Sequence, residues 1–305
     1  MYKRFVICLA LSILSFPNTG LAQFTGAHHF DNTPVGTSQL ELSYAYANAN
    51  ASIDTSLIVS GAKFHLDQGT VNYTRYFGLM RHLIFVEGSV PLAHLSGSIA
   101  ETNVRGAISG AGDSTYSIAA LLKGGPALSA RQFQGYRPTT AMAISLTVNA
   151  PTGQYNPNIL LNLGSGRWSF KPELAISHPF GPENKWQCDV YAHAYFFSDN
   201  TSYRGKEILR QDPLPGLEGH ISYSVLDRLW VSTDFLYAFR GTTFVNGVDQ
   251  NDAQETVFLG TEASLSLNPQ HSVALQFSKA IVHQNGPALV GFTVKYNFTW
   301  GHGGR

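Results

Sequence analysis

Apolar and polar residues alternate with a period of two along most of the chain. The pattern is strictest near the C-terminus, where single polar residues separate Phe292, Val294, Tyr296, Phe298 and Trp300. Because successive side chains of a β-strand point to opposite faces, the pattern predicts a strand with one apolar and one polar face. Similar segments predict twelve strands in all, at residues 38–48, 66–77, 82–93, 115–128, 138–149, 166–177, 186–198, 214–224, 229–240, 253–267, 271–283 and 288–300. In the second segment the alternation fails at Arg75, where we expect a β-bulge.

The predicted connections alternate in length. Long connections rich in Gly, Ser, Asn and Asp cover residues 49–65, 94–114, 150–165, 199–213 and 241–252, and those between them are mostly shorter. Only the final hairpin, at residues 284–287, departs from this trend. An even number of strands with short turns at one end and long loops at the other is typical of bacterial outer-membrane barrels. We therefore predict an all-β fold, a transmembrane antiparallel β-barrel of about 12 strands of the Gram-negative outer-membrane type, over residues 23–300, with a short periplasmic N-terminal segment before the first strand.

The N-terminus predicts export. Lys3 and Arg4 precede an apolar run over residues 5–16, and the small residues Gly20 and Ala22 follow it. This arrangement indicates a signal peptide, residues 1–22, that is cleaved after Ala22. The apolar run is too short to cross a bilayer as a helix, and an uncleaved anchor is the alternative. Residues 301–305 form a short C-terminal extension after the last aromatic residue.

Composition narrows the choice only in part. The chain has 305 residues with 20 Lys+Arg and 20 Asp+Glu, so removing Lys3 and Arg4 leaves 18 against 20, a net charge of −2. This balance offers no basic surface for nucleic acid. Charged residues make up 13% of the chain, against about 25% in typical soluble domains. A soluble all-β protein would also fit these values. Only Cys188 remains after cleavage, so no intramolecular disulfide is expected.

Four neighbouring predicted strands carry unusual chemistry on their polar face. If the apolar face of each strand meets lipid, the polar face lines the lumen. The predicted lumen-lining residues are Arg167, Lys171, Glu173, Asp189, Tyr191, His193, Tyr195, Glu218, His220, Trp230, Asp234 and Arg240. Two interpretations stay open. The charges form a paired network that braces the barrel, or the charges and rings line a path for a small organic solute.

Other polar groups are weaker candidates. The acidic residues Asp249, Asp252 and Glu255 lack the spacing of a calcium loop, and His28-His29 has no further ligands beside it. No metal site is therefore predicted. No Walker loop, dinucleotide fingerprint or HExxH motif occurs, and no cofactor is predicted. Residues 151–155 and 162–166 share one outer loop, which either forms ordinary turns or folds inward to narrow the pore.

An enzyme is the remaining class of protein to weigh. His220 and Ser222 are two residues apart on one predicted strand, and lipid-cleaving barrels pair a nucleophilic Ser with a His. Both residues lie on the polar face, whereas a lipid-cleaving site should face lipid. Tyr223 stands where the phospholipase pattern has Asn. We therefore expect no enzyme activity.

Several sequence blocks occur in order over roughly residues 80–300, at 110–113, 151–155, 162–173, 196–203, 211–223, 228–234 and 245–248. They resemble the MetA-pathway of phenol degradation family, a set of outer-membrane transporters associated with aromatic catabolism. The family supplies no catalytic residues to transfer. The last strand also resembles the C-terminal targeting strand of Gram-negative outer-membrane proteins. That resemblance implies contact with the assembly machinery through Phe292, Val294, Tyr296, Phe298 and Trp300, although residues 301–305 depart from the usual ending.

Together these observations predict a passive channel for small hydrophobic or aromatic solutes in the outer membrane of a Gram-negative bacterium. Its surroundings would be outer-membrane lipid and lipopolysaccharide, and nucleic acid is not an expected partner. A closed structural or surface-interaction barrel without transport activity is the alternative.

Overall fold

The computed structural model describes residues 25–53, 59–99, 105–159 and 161–301. The predicted signal peptide lies outside these residues, as do residues 302–305 of the predicted extension. The described residues form seventeen strands: β1 (Thr37–Ile53), β2 (Val59–Leu79), β3 (His82–Ile99), β4 (Arg105–Ala111), β5 (Ser114–Lys123), β6 (Ala141–Ala150), β7 (Ser169–Phe180), β8 (Trp186–Phe197), β9 (Asn200–Tyr203), β10 (Glu207–Gln211), β11 (Leu214–Leu226), β12 (Leu229–Arg240), β13 (Thr243–Val245), β14 (Val248–Asp249), β15 (Gln254–Asn268), β16 (His271–Gln284) and β17 (Pro287–Gly301).

The long strands close into a barrel. β1 pairs antiparallel with β17 on one side and β2 on the other, and β2 pairs in turn with β3. The circuit continues through β5, β6, β7, β8, β11, β12, β15 and β16 back to β17. β4 and β5 both pair with β3, along successive parts of it, so they form one wall position. The prediction of a twelve-stranded antiparallel β-barrel is therefore confirmed.

The apolar face of the wall points outward. In β17, Phe292, Val294, Tyr296 and Trp300 are exposed and Phe298 is half-buried, whereas Thr293, Lys295 and Asn297 line the interior. Aromatic rings cluster at the end of the barrel that carries the short turns. Trp186 packs against Tyr223 with ring centroids 4.6 Å apart, and Phe298 stacks on Trp300 at 5.2 Å. An outward apolar band with an aromatic girdle is the surface that a lipid bilayer requires.

The bulge expected at Arg75 is wrong. The register of β2 runs without a shift past Arg75 on both sides, opposite Ser38 of β1 and Val86 of β3. Instead, the alternation of polar and apolar residues reverses near the C-terminal end of β2. Tyr76 turns into the interior, while the Arg75 guanidinium donates to the Gly36 carbonyl at 2.8 Å and to Ser38 Oγ at 2.7 Å.

The loops are more structured than the sequence predicts. Much of residues 49–65 and 94–114 extends the strands β1 to β4, and the connections at 199–213 and 241–252 form a separate sheet in the order β14-β13-β10-β9. At the short-turn end, the connection from β5 to β6 contains one helical turn, Ala130–Phe133, capped by Ser129. No helix within the described ranges is long and apolar enough to cross a membrane.

Candidate functional site

A segment before the first strand fills part of the barrel interior. We call residues 25–35 the plug. It enters at the short-turn end, where Val35 N donates to the Leu128 carbonyl at 2.8 Å. It reaches inward to Thr25, which contacts side chains of β7 and β11. The plug therefore lies against the wall whose polar face the sequence singles out.

Four wall residues hold the tip of the plug. Thr25 N donates to Glu218 Oε2 at 2.7 Å, and the Thr25 hydroxyl lies 2.9 Å from Glu173 Oε2. Lys171 Nζ donates to the same hydroxyl at 2.9 Å and lies 3.2 Å from Glu173 Oε2. His193 Nδ1 lies 3.4 Å from Glu173 and 3.5 Å from Glu218. We call Lys171, Glu173, His193 and Glu218 the Thr25 anchor.

Strand register explains why these residues meet. Glu173 of β7 is directly opposite His193 of β8, and His193 is opposite Gly216 of β11. A Cβ atom at Gly216 would overlap the His193 ring, so glycine allows the ring to lie across β11 towards Glu218. Directly opposite side chains in a sheet are close neighbours, which brings distant sequence positions together on one face.

A second polar network lies beside the anchor. His220 Nδ1 bonds Asp234 Oδ1 at 2.9 Å, and Ser232 Oγ donates to the same oxygen at 2.9 Å. His220 Nε2 lies 3.4 Å from Glu218 Oε2, which joins the two networks. Buried charges of this kind are stable only when they are paired, as they are here.

The middle of the plug is held through His28. Its Nδ1 bonds Asp31 at 2.8 Å, its Nε2 bonds Ser222 Oγ at 2.8 Å, and its backbone N donates to Asp189 at 3.2 Å. The Trp230 ring lies 4.5 Å from the His28 ring. Burial lowers the pKa of His28, but the neighbouring carboxylates, Asp31 foremost, outweigh burial and raise this pKa above its usual 6.5.

Apolar contacts complete the seal at the short-turn end. Phe30 is buried, with its ring centroid 5.2 Å from Tyr191 and 6.1 Å from Phe85. Leu83 and Leu121 belong to the same buried cluster. The plug is thus attached by polar bonds at its tip and by hydrophobic packing at its base.

The long-loop end is closed by a different device. The connection at residues 151–168 folds inward, and Leu161 and Leu163 join a buried cluster with Phe64, Leu236 and Phe258. Asp113 holds this loop. It accepts hydrogen bonds from Gly153 N at 2.8 Å, Ser165 N at 2.8 Å and Ser165 Oγ at 2.6 Å. Of the two interpretations of this loop, the structure shows the inward one.

A cavity of about 460 Å³ lies between these two closures. Lys171, Glu173, Tyr195 and Trp230 line it on one side, together with Thr25 of the plug. Hydroxyl and amide side chains line much of the remaining wall: Ser43, Gln68, Thr70, Asn72, Ser117, Thr147, Asn149, Gln276, Thr293 and Asn297. Glu41, Glu87, Glu262 and Lys295 add charged groups to the same lining. The cavity lining is therefore mainly polar, and the rings of Tyr195 and Trp230 lie among its hydrogen-bonding groups.

Most of the predicted lumen-lining residues are buried inside the barrel. These are Arg167, Lys171, Glu173, Asp189, Tyr191, His193, Tyr195, Glu218, His220 and Asp234. Trp230 is half-buried on the cavity wall. Arg167 bonds Gln211 and lies over the Phe197 ring, 4.4 Å from its centroid, away from the anchor. Whether any of them contacts a solute remains a prediction.

The prediction for Arg240 needs correction. Arg240 is exposed at the last position of β12 and has a φ of 71°. Gly241, which follows, also has a φ of 71°. This left-handed turn ends the alternation that would have placed the side chain in the lumen.

Within the described residues, Glu173, His193 and Glu218 are the group whose ligand atoms are close enough to hold a metal ion. Lys171 already supplies a cation there, 3.2 Å from Glu173, so the site does not favour a metal. The acidic loop has a local role, since Asp252 accepts from Thr243 N at 2.7 Å. His28 bonds Asp31 and Ser222, and His29 packs against Phe85 at 5.5 Å.

The pair required for lipid hydrolysis does not form. Ser222 Oγ bonds His28 of the plug, and His220 bonds Asp234. Ser222 is buried, and it is not among the residues that line the cavity. The bond series from Ser222 through His28 to Asp31 resembles a hydrolytic triad in connectivity, but the Ser222 side chain is buried.

The sequence prediction of a short periplasmic N-terminal segment needs correction, because residues 25–29 lie inside the barrel as part of the plug. Residues 25–35 have no alternating pattern, and they bond residues that are distant in sequence. Asn32 bonds Pro126, 94 positions away, and Thr25 bonds Glu218, 193 positions away. A run of His, Asp, Asn and aromatic residues directly before β1 was the available signal.

Comparison with known proteins identifies similar structures and the family of this chain. An outer membrane channel from Pseudomonas putida F1 is similar in structure, with a TM-score of 0.79, 21% identity, and coverage of 90% of this chain and 99% of that one. The β-domain of the Bordetella autotransporter BrkA has a TM-score of 0.53 and 9% identity, with coverage of 87% and 100%. No protein of curated function matches by sequence. The profile described as "Putative MetA-pathway of phenol degradation" matches residues 47–296, so this chain belongs to that family.

Proposed function

We propose that this protein is a passive outer-membrane channel for small hydrophobic or aromatic solutes. The observation that carries the proposal is the 460 Å³ cavity inside the barrel, between the plug and the inward loop. Tyr195 and Trp230 present rings to it, and hydroxyl, amide and charged groups form the rest of its lining. Such a lining stacks on an aromatic ring and bonds its polar substituents. Membership of a family associated with phenol degradation agrees with this solute class.

Cleavage of the signal peptide after Ala22 is part of the proposal. Thr25 is hydrogen-bonded to Glu218 inside the barrel. If residues 1–22 stayed attached, they would therefore need a path out of the barrel. Removal of residues 1–22 would leave only Gln23 and Phe24 before Thr25. Mass spectrometry of the protein from outer membranes tests this step. A mass that begins at Gln23 is expected, and a full-length mass would contradict it.

The remaining partners are lipid, lipopolysaccharide and the assembly machinery. The apolar side chains of β17 point outward, where assembly factors and later lipid can reach them. Replacing Trp300 by Asp should reduce the amount of folded barrel in cells, with Trp300→Phe as the matched control. Equal folding of the two variants would contradict a role for the terminal aromatic residue.

Single-channel recording of the refolded mature protein tests the channel proposal. We expect discrete current steps in a planar bilayer and a concentration-dependent block by phenol. Glycerol, which has hydroxyl groups but no ring, is the matched solute and should block weakly. A folded barrel, identified by heat-modifiable migration, that passes no current and binds no phenol would contradict the proposal.

A closed structural or surface barrel is the second candidate, because both ends of the lumen are blocked. Phe30 and its neighbours fill one end, and Leu161 and Leu163 fill the other. The separate sheet of β9, β10, β13 and β14 would then be the working surface. Deleting residues 199–213 should abolish surface binding if this candidate is right, and should change the conductance if the protein is a channel.

A further inference from the structure

We infer that the Thr25 anchor is a binding site for a hydroxylated aromatic solute, and that such a solute displaces the tip of the plug. The inference rests on the proposed channel function, because it assigns the solute site of that channel. In the described structure Thr25 fills this site, and it does so through groups that a phenol also possesses.

The bonds of the Thr25 hydroxyl define the chemistry. It accepts from Lys171 Nζ at 2.9 Å and lies 2.9 Å from Glu173 Oε2, to which it donates. An ammonium and a carboxylate beside one hydroxyl select a ligand oxygen that both donates and accepts. A phenolic hydroxyl meets this requirement, whereas an ether oxygen accepts but cannot donate.

A second donor position lies next to the first. Thr25 N donates to Glu218 Oε2 at 2.7 Å, so a second hydroxyl on the neighbouring ring carbon can take the place of this N–H. Leaving Glu218 without that donor would be unfavourable, since the carboxylate is fully buried. The site therefore favours a ring with two adjacent hydroxyl groups over a ring with one.

The ring itself has room and a partner. Thr25, Lys171, Glu173 and Tyr195 all line the cavity, so a solute in the cavity reaches the anchor without crossing the wall. The volume of about 460 Å³ exceeds the ~150 Å³ that holds benzene in an engineered cavity. Tyr195 lies beside the anchor, with Lys171 Nζ 5.9 Å from its ring centroid.

Displacement would be local. Phe30 and Val35 keep the base of the plug attached through contacts that the solute does not reach. Only residues 25–27 need to move, and Ala27 is half-buried on the cavity wall, where it reports on that movement.

Thiol labelling of the folded mature chain tests the inference. Cys188 is replaced by Ser, Ala27 by Cys, and the rate of maleimide labelling is measured in detergent with phenol, anisole or toluene. Phenol should accelerate labelling, and anisole and toluene should not. Equal acceleration by all three would overturn the inference, because the ring alone would then be recognised.

Variants of the plug supply the second arm. Thr25→Val removes the competing hydroxyl and should lower the phenol concentration for half-maximal labelling by about tenfold, the usual effect of a bond to a charged group. Thr25→Ser should respond like the parent. Thr33→Val makes the same change near the base of the plug and should leave the phenol response unchanged. An unchanged half-maximal concentration in Thr25→Val would overturn the inference.

Calorimetry tests the second donor position, and the comparison of labelling with channel current separates this inference from the channel proposal. Calorimetry on the parent chain should show tighter binding of catechol than of phenol, and the reverse order would overturn the assignment of the second donor position. Labelling and calorimetry do not require transport. Phenol-dependent labelling without channel current would contradict the channel but support the site, and phenol-blocked current without a labelling response would overturn the site alone.

Discussion

Single residues inside this barrel are held by charge pairing within and between strands. Lys171 lies against Glu173, His220 against Asp234, and Lys295 against Glu262 at 3.1 Å. Each pair lies on the inner face, where loss of one partner leaves a buried charge without compensation. The same pairs set the chemistry of the cavity wall, so their contribution to stability and to solute contact must be tested separately.

The His220–Asp234 pair should matter for stability. Asp234→Ala removes the acceptor of both His220 and Ser232 and should lower the free energy of unfolding by about 3 kcal/mol. Urea unfolding followed by intrinsic fluorescence measures this. Glu255→Ala is the control, because Glu255 is an exposed carboxylate that bonds only at the surface. Equal stability of the two variants would show that the buried pair contributes nothing.

Trp230 should matter for solute contact. Trp230→Ala removes a ring from the cavity wall and should weaken phenol block about fivefold, the equivalent of ~1 kcal/mol for an aromatic contact. Trp168→Ala is the matched change, because Trp168 is an exposed residue of the outer connection before β7. Block titrations in planar bilayers compare them, and an unchanged affinity in Trp230→Ala would exclude this ring from the path.

At the scale of elements, the inward loop depends on Asp113. Asp113→Ala removes the acceptor of Gly153 N, Ser165 N and Ser165 Oγ, so Leu161 and Leu163 should leave their buried cluster. We expect larger current steps and faster protease cleavage within residues 151–168. Asp212→Ala changes an exposed carboxylate at the same end and should alter neither. A loop equally resistant to protease in both variants would contradict this role of Asp113.

The elements also show how far sequence reasoning extends. A strand with one lipid face and one lumen face must alternate, so β7, β8, β11, β12 and β17 could be predicted from pattern alone. Arg75 and Tyr76 could not, since rim residues meet headgroups and chain ends rather than lipid tails. Arg240 was misplaced because a left-handed turn is invisible in a polarity pattern. The plug was missed because its order comes from contacts distant in sequence, as between Thr25 and Glu218.

The whole molecule has two closures of different physical kinds. The inward loop seals the long-loop end with leucine side chains, while the plug fills the short-turn end and is held at its middle by the bonds of His28 to Asp31 and Ser222. Apolar packing does not titrate, but a protonated imidazole does. The two closures should therefore respond differently to pH, and the plug should loosen as the pH rises.

The pH dependence of conductance tests this difference. Protonated His28 faces Asp31 within the plug, and Asp189 and Glu262 on the wall, beside Ser222 and Trp230. Because these carboxylates raise the pKa of His28 above 6.5, its contribution to docking is complete below that pH and is lost as pH rises through the raised value. Conductance should therefore increase on the alkaline side of pH 6.5. His28→Gln should conduct more at low pH and lose most of the dependence, whereas His94→Gln, at an exposed position of β3, should keep it. A pH profile of His28→Gln that matches the parent would assign the titration to another group and leave the plug without this switch.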